Sequence, residues 1–310
     1  MLSPVVQTKP ALAPGPTSAG IGLGTATFGR EIDAAASHGM LDHAYRRGIR
    51  HIDTAAAYSA GTAERILGEW LRANPGVRRE LTIATKVLPP YSAATIEASV
   101  TASLARLGLE RLDLLYLHRW EPTMEGAEVR TALDGLVRQG RVGALGVSNI
   151  TADQFKSALA AQQREGLARF TWVQNNQNFA VREAPYAFRA YCREQEINVV
   201  TFSPLGAGFL TGKHTQGVVP GSRFAVVPAH GDIYFNATCQ RRLSVLTTTA
   251  RELGLPQATL ALAWALHLPL TRFVLIGGRD VAQIDQAFSA FGSTFASALS
   301  KLDALEPDGT

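Results

Sequence analysis

Only two cysteines occur among 310 residues, Cys192 and Cys239. So few thiols, so far apart, give neither a disulfide framework nor metal-ligand spacing, and a reducing, cytoplasmic setting is the expectation. No run of 18 apolar residues is present, and the N-terminus lacks a basic flank leading into an apolar core, so neither a membrane span nor a secretory leader is expected. Basic runs with interleaved aromatics are missing as well. The 30 Lys and Arg are scattered against 26 Asp and Glu, and a +4 charge with pI near 9.2 gives little support to nucleic acid binding. A mildly positive protein still suits phosphate-bearing ligands. Also absent is a G-x-G-x-x-G at a strand-to-helix turn, which counts against a Rossmann half. Gly20-Ile21-Gly22-Leu23-Gly24 only imitates it, because a strand and not a helix is expected around it.

What is present is an ordinary globular composition, 46% hydrophobic and 18% charged. Residues 1–18, with Pro4, Pro10, Pro14 and Pro16, read as an extended lead-in, which leaves 19–310 for the folded unit. Strand-like apolar runs recur near 21–25, 50–54, 81–86, 112–118, 144–149, 171–176, 198–203 and 272–277. Most are spaced by one strand, one helix and two short loops. Helical patterns lie between them, over 62–72, 93–107, 129–139, 151–163 and 182–194. The first shows Ile66, Leu67, Trp70 and Leu71 on one face, and the one opening at Thr151 has a capping box with Gln154. Strict alternation of eight such units predicts an α/β fold, a single-domain (β/α)8 TIM barrel. One spacing breaks the rule: 206–236, rich in Gly, Pro and Val, reads as a long structureless insert placed to close over a ligand.

The second strand delivers Asp53 and, five residues on, Tyr58. The third ends on Lys86 and the fourth on His118. Singly, such residues cap turns, pack, snorkel or sit satisfied in a core. In a barrel, however, all four come from neighbouring strands to one mouth, where catalytic groups gather. A buried lysine requires a carboxylate, which Asp53 supplies. An ammonium at about 4 Å, with an effective dielectric near 20, favours a phenolate by roughly 4 kcal/mol. That would bring Tyr58 down from about 10 toward about 7, less whatever Asp53 cancels, and let it exchange a proton near neutral pH. His118 can hydrogen bond to a substrate carbonyl or pass the proton onward.

At this point the chain resembles the aldo-keto reductases over nearly its whole length. The most specific pieces are Asp53-Thr54-Ala55-Ala56-Ala57-Tyr58, Thr85-Lys86, Leu117-His118, Gly146-Val147-Ser148-Asn149, Ser203-Pro204-Leu205-Gly206, Leu210-Thr211-Gly212-Lys213 and Val274-Leu275-Ile276-Gly277. The resemblance implies a barrel that binds NADP(H) or NAD(H) across its C-terminal mouth. It implies Tyr58 as general acid/base, Lys86 and Asp53 as the pair that tunes it, and His118 as the residue orienting the carbonyl. It further implies Thr25 and Asp53 at the nicotinamide, Ser148, Asn149 and Gln174 at its carboxamide, and Phe202 against the ring. Ser203, Leu205, Gly206 and Gly208 would line the pyrophosphate, with Lys213 and Arg223 reaching phosphates, and Gly277, Arg279 and Gln283 at the adenine end.

The adenine end departs from the family pattern. The series runs Gly278, Arg279, Asp280, Gln283, Gln286, Ala287; Gln283 fits and Ala287 does not. Asp280 would repel a 2′-phosphate and favour NADH, whereas Arg279 and Arg223 would attract one. The expected activity is hydride transfer between the nicotinamide and a small aldehyde, ketone, sugar or alcohol, with Trp120 and the loops near Arg30 and Phe209 as candidates to line the substrate pocket. Alternatives are an NAD-dependent sugar dehydrogenase, motivated by Asp280, and a slow-turnover cofactor-binding subunit that senses redox state. A small-molecule carbonyl or alcohol is the expected partner, with no nucleic acid and no membrane. Oligomeric state is not legible.

Overall fold

The computed structural model describes residues 20–292 and 295–305; the expected lead-in over 1–18 lies outside them. Among the described residues eight parallel strands close into one barrel in sequence order. They are β1 (Gly20–Gly24), β2 (His51–Asp53), β3 (Thr82–Val87), β4 (Leu114–Leu117), β5 (Leu145–Ser148), β6 (Phe170–Asn176), β7 (Asn198–Phe202) and β8 (Phe273–Ile276). β8 returns to β1 with Gly20 opposite Phe273 and Leu23 opposite Ile276, so no edge is left. The expected (β/α)8 barrel is therefore the fold.

The period of two along each strand sorts the side chains. Ile52, Ile83, Leu115 and Leu117 join the apolar layer between strands and helices. Their alternates Ala84, Leu114 and Tyr116 form a separate cluster inside the barrel. Continuing the same alternation toward the strand ends places Asp53, Lys86 and His118 at the C-terminal rim.

The shell helices follow local signals. Ala152–Glu165 begins with the expected capping box: the Thr151 hydroxyl accepts from the Gln154 N–H at 3.3 Å, and Gln154 Oε1 accepts from the Thr151 N–H at 3.0 Å. Thr62–Ala73 buries Ile66, Leu67, Trp70 and Leu71. One boundary needs correction. The helix expected from 182 starts only at Tyr186, because Pro185 fixes its own backbone and disfavours helical geometry at Ala184.

The insert after β7 is a second correction, since it is not structureless. It holds a 3-10 turn, Gly206–Thr211, and two short helices, Arg223–Val226 and His230–Tyr234. An aromatic cluster stabilises it, with Phe209 5.7 Å from Tyr234 and Phe224 4.8 Å from Phe235 between ring centroids.

Candidate active site

β2 ends on Asp53, and the chain turns over the barrel rim to open a 3-10 turn, Tyr58–Gly61. Ser59 and Ala60 there adopt left-handed backbone, φ 49° and 51°. Non-glycine residues resist this, at a cost of order 1–3 kcal/mol each. The turn is held partly by the Ser59 hydroxyl, which donates to the Phe28 carbonyl at 2.7 Å. The result aims the Tyr58 phenol back at the barrel axis.

Lys86 lies beneath it, 1% exposed, and donates to Asp53 Oδ1, to the Thr54 carbonyl at 2.9 Å and to the Tyr58 hydroxyl at 3.3 Å. Gln174 Nε2 donates to the other Asp53 oxygen at 2.8 Å. Both carboxylate oxygens and the ammonium are thus engaged, the condition under which a buried pair is tolerated. His118 stands edge-on to Tyr58, ring centroids 5.8 Å apart at 81°. The four residues picked from the sequence do converge.

Their protonation differs from the expectation in one respect. Tyr58 is pushed up from its ordinary value, because burial outweighs the ammonium of Lys86, which Asp53 partly offsets. Lys86 is raised: burial opposes its charge, but Asp53 and Tyr58 together favour it more. His118 is lowered to about 3 by burial, Lys86 and Arg119, so its imidazole is neutral. The site holds a phenol, an ammonium, a carboxylate and a neutral imidazole.

From Tyr58 and His118 a cleft of about 470 Å³ extends past the ends of β5 to β8. Asp53, Ser148, Asn149, Gln174, Phe202, Ser203, Leu205, Gly208, Lys213, Arg223, Gly277, Arg279 and Gln283 all line it. Thr25 does not: it is fully buried, and its hydroxyl donates to the Asp53 carbonyl at 3.1 Å. Gly24, Ala26 and Thr27 take its place on the wall. Gly206 is likewise off the wall and packs on Tyr234, where a Cβ would come within 2.8 Å of the ring. Phe209 itself is core, 1% exposed, but Ala207, Gly208 and Thr211 of its loop line the cleft.

Sequence reasoning missed Glu31 and His230, which also line the cleft. Glu31 accepts from Arg223 Nη1 at 2.5 Å and from Arg30 Nε at 2.7 Å, so Arg223 is paired with a carboxylate across the cleft. Neither residue belongs to a local motif. His230 reaches the wall only because the insert folds on its aromatic cluster.

The donor set fits a nicotinamide dinucleotide. At one end, Asn149 Nδ2 donates to the His118 carbonyl at 2.7 Å and to the Ser148 hydroxyl at 3.0 Å, which uses both of its N–H groups and leaves its Oδ1 as an acceptor that would suit a carboxamide, while Gln174 Nε2 donates to Asp53. In the middle, Gly208 at φ 95° lets the backbone approach closely without a Cβ, as a pyrophosphate requires. At the far end Lys213 and Arg279 supply positive charge, while that of Arg223 is offset by Glu31.

A barrel whose C-terminal mouth carries this tetrad beside such a cleft defines a cofactor-dependent redox enzyme. Residues 20–304 match the model of the aldo/keto reductase family, and the chain belongs to that family. It is 30% identical over 281 residues to a probable voltage-gated potassium channel subunit beta of Arabidopsis thaliana, covering 85% of this chain and 84% of that one. It is 28% identical to Protein tas of Escherichia coli K12, covering 85% and 87%, and 28% identical to Aldo-keto reductase dtxS3 of Metarhizium robertsii, covering 82% and 76%. The protein is an NAD(P)H-dependent oxidoreductase. Among the described residues no helix is long and apolar enough to cross a membrane.

Proposed function

We propose that this protein interconverts a small carbonyl compound and its alcohol, with Tyr58 as the general acid/base. The observation that carries the reading is the 3.3 Å contact between the Tyr58 hydroxyl and Lys86, itself clamped to Asp53. When bound, the nicotinamide supplies or accepts the hydride. In the reducing direction the raised value of Tyr58 keeps it protonated at neutral pH, ready to donate to the carbonyl oxygen. Lys86 then stabilises the phenolate left behind, and Asp53 holds Lys86 in place. Neutral His118 offers a ring N–H to the same oxygen, so negative charge develops among preorganised donors.

The same reading favours NADP(H) over NAD(H). Asp280, the residue that argued for NAD, is occupied at a helix start, where Oδ1 accepts from the Gln283 N–H at 3.1 Å. Arg279 lines the cleft and is steadied by its own donation to the Gly221 carbonyl at 2.9 Å. Likeness to a channel β subunit supports the slow-turnover alternative, but the complete tetrad favours catalysis.

Tyr58→Phe tests the assignment. NAD(P)H consumption across a panel of aldehydes, ketones and sugars should fall by about 10²–10⁴ while the cofactor still binds. Undiminished turnover in that variant would remove Tyr58 from the mechanism.

A further inference from the structure

We infer that Tyr234 is a positioning residue for the dinucleotide: its hydroxyl, acting through Asn178, holds the turn over 203–208 in the shape that receives the pyrophosphate. The inference rests on the cofactor reading of the cleft. Ser203, Leu205, Ala207 and Gly208 line that cleft, whereas Tyr234 is buried beside Gly206, 1% exposed.

This turn has to be held. Ser203 and Ala207 adopt left-handed backbone, both at φ 56°, and Gly206 and Gly208 do so at 58° and 95°. The glycines go there freely; the serine and the alanine are there at a cost. Inside the turn the Gly206 N–H donates to the Ser203 carbonyl at 2.8 Å. A second donor comes from outside it, since Asn178 Nδ2 reaches the same carbonyl at 2.9 Å. The Asn178 amide stands one way round, because its Oδ1 accepts from the Ala180 and Val181 N–H groups, each at 3.0 Å. Its nitrogen is thereby committed to the Ser203 side.

Tyr234 steadies that nitrogen from the insert. Its hydroxyl accepts from Asn178 Nδ2 at 3.2 Å and stands 3.2 Å and 3.1 Å from Oδ1 and Nδ2 of Asn176, the last residue of β6. All three side chains are buried. Burial also pushes the phenol up to about 12, so the hydroxyl keeps its hydrogen through neutral pH. On its apolar side the ring packs under Gly206, where a Cβ would come within 2.8 Å, and against Phe209 and Phe224, with centroids 5.7 Å and 5.9 Å away. One phenol thus joins the end of β6, the turn after β7 and the helix His230–Tyr234. Without its oxygen a buried amide hydrogen loses its partner, the tie to Ser203 loosens, and the turn is released toward unstrained shapes. Binding must then restore the turn, so the apparent affinity falls with the fraction of molecules that keep it formed.

The test titrates the full chain, Tyr234→Phe, Asn178→Asp and the double variant with NADPH and with 2′-AMP, which carries an adenine end and no pyrophosphate. Tyr234→Phe keeps the ring and its packing. Asn178→Asp keeps the acceptor for Ala180 and Val181 and removes the donor for Ser203. NADPH should weaken about three- to tenfold in Tyr234→Phe and about tenfold in Asn178→Asp, and 2′-AMP by less than about twofold in either. The double variant should bind NADPH as Asn178→Asp alone does, because the two groups act in series. Hydrogen exchange on the nucleotide-free proteins reads the turn directly: the Gly206 amide should lose protection in Tyr234→Phe while the amides of β6 and β8 keep theirs. If Asn178→Asp does not fold, Tyr234→Phe and its exchange decide alone. Undiminished NADPH affinity in Tyr234→Phe, equal weakening of NADPH and 2′-AMP, additive losses in the double variant, or an unchanged Gly206 amide would each overturn the proposal. An unaltered protein that bound no NADPH would overturn the cofactor reading and the proposal with it, a result that none of those outcomes imitates.

Discussion

Lys86 Nζ stands 3.3 Å from the Tyr58 hydroxyl, and yet the phenol titrates above its ordinary range and not below it. Burial at the base of the cleft disfavours the phenolate more than an ammonium already shared with Asp53 can favour it. The acid form of Tyr58 therefore persists through neutral pH. For carbonyl reduction, kcat/KM should stay flat across neutrality and fall only as the pH passes above about 10, the ordinary phenol value. For alcohol oxidation, which needs the base form, it should climb over the same alkaline range. Lys86→Met should push both limbs higher still and cut turnover by about 10²–10⁴. Steady-state rates in both directions from pH 6 to 11 check this, and a limb centred near 7 would contradict it. His118, at about 3, adds no limb near 6.5.

That direction was not legible in the sequence, although the partners were. The order Asp53, Tyr58, Lys86, His118 on successive strand ends needs only the period of two and the barrel geometry to bring the four together. Whether burial or Coulomb attraction wins depends on how deeply the phenol sits, and that depends on the strained turn at Ser59 and Ala60. Thr25 lies off the cleft wall for a related reason. One position beyond the end of β1, its hydroxyl faces the Asp53 carbonyl and not the cleft. Glu31 and His230 reach the cleft through contacts that are distant in sequence, Glu31 through its pairing with Arg223.

His51 should make the protein acid-sensitive. Its ring lies nearly flat on Phe273, centroids 4.7 Å apart, and on Trp172 at 5.8 Å, inside the barrel. Among the described residues neither ring nitrogen has a hydrogen-bond partner, and burial lowers its pKa to about 4. The unfolded chain, with a His near 6.5, binds the proton first as the pH falls. Stability from this group is thus fully present above about 6.5 and is lost between there and about 4, amounting to roughly 2 kcal/mol by pH 5. Urea unfolding at pH 7.5 and pH 5 should show that loss reduced in His51→Phe, which keeps the stack and removes the titration. An equal acid loss in both proteins would show that His51 is not responsible.

Arg279 should discriminate between cofactors. Its guanidinium lines the cleft beside Lys213 and Arg223, while Asp280 is held at its helix start. Charge-assisted hydrogen bonds of this kind contribute about 1.5–3 kcal/mol. Arg279→Ala should weaken NADPH by roughly ten- to a hundredfold and NADH by much less. Fluorescence titration of each nucleotide into both proteins reads the difference directly. Equal losses for the two would move the 2′-phosphate contact elsewhere.

Two glycines in helices should respond oppositely to the same substitution. Gly68, in Thr62–Ala73, is where that helix meets the end of Ala93–Leu107, and a Cβ there would come within 2.9 Å of the Leu107 carbonyl group. Backbone cannot move aside as a side-chain tip can. The same seam holds buried Glu64, which accepts from Arg106 Nε at 2.6 Å and from the Thr85 hydroxyl at 2.5 Å, so a shift of either helix disturbs these bonds too. Alanine favours a helix over glycine by about 1 kcal/mol, but overpacking costs about 1–3 kcal/mol, and here the clash wins. Gly68→Ala should lower Tm by a few degrees. Gly39, in Ala34–Arg46, has nothing within 4 Å of its would-be Cβ, so only the propensity term remains, and Gly39→Ala should raise Tm. Calorimetry on the two variants separates helix propensity from packing. A gain in both would mean that the two helices can part at Gly68 without loss.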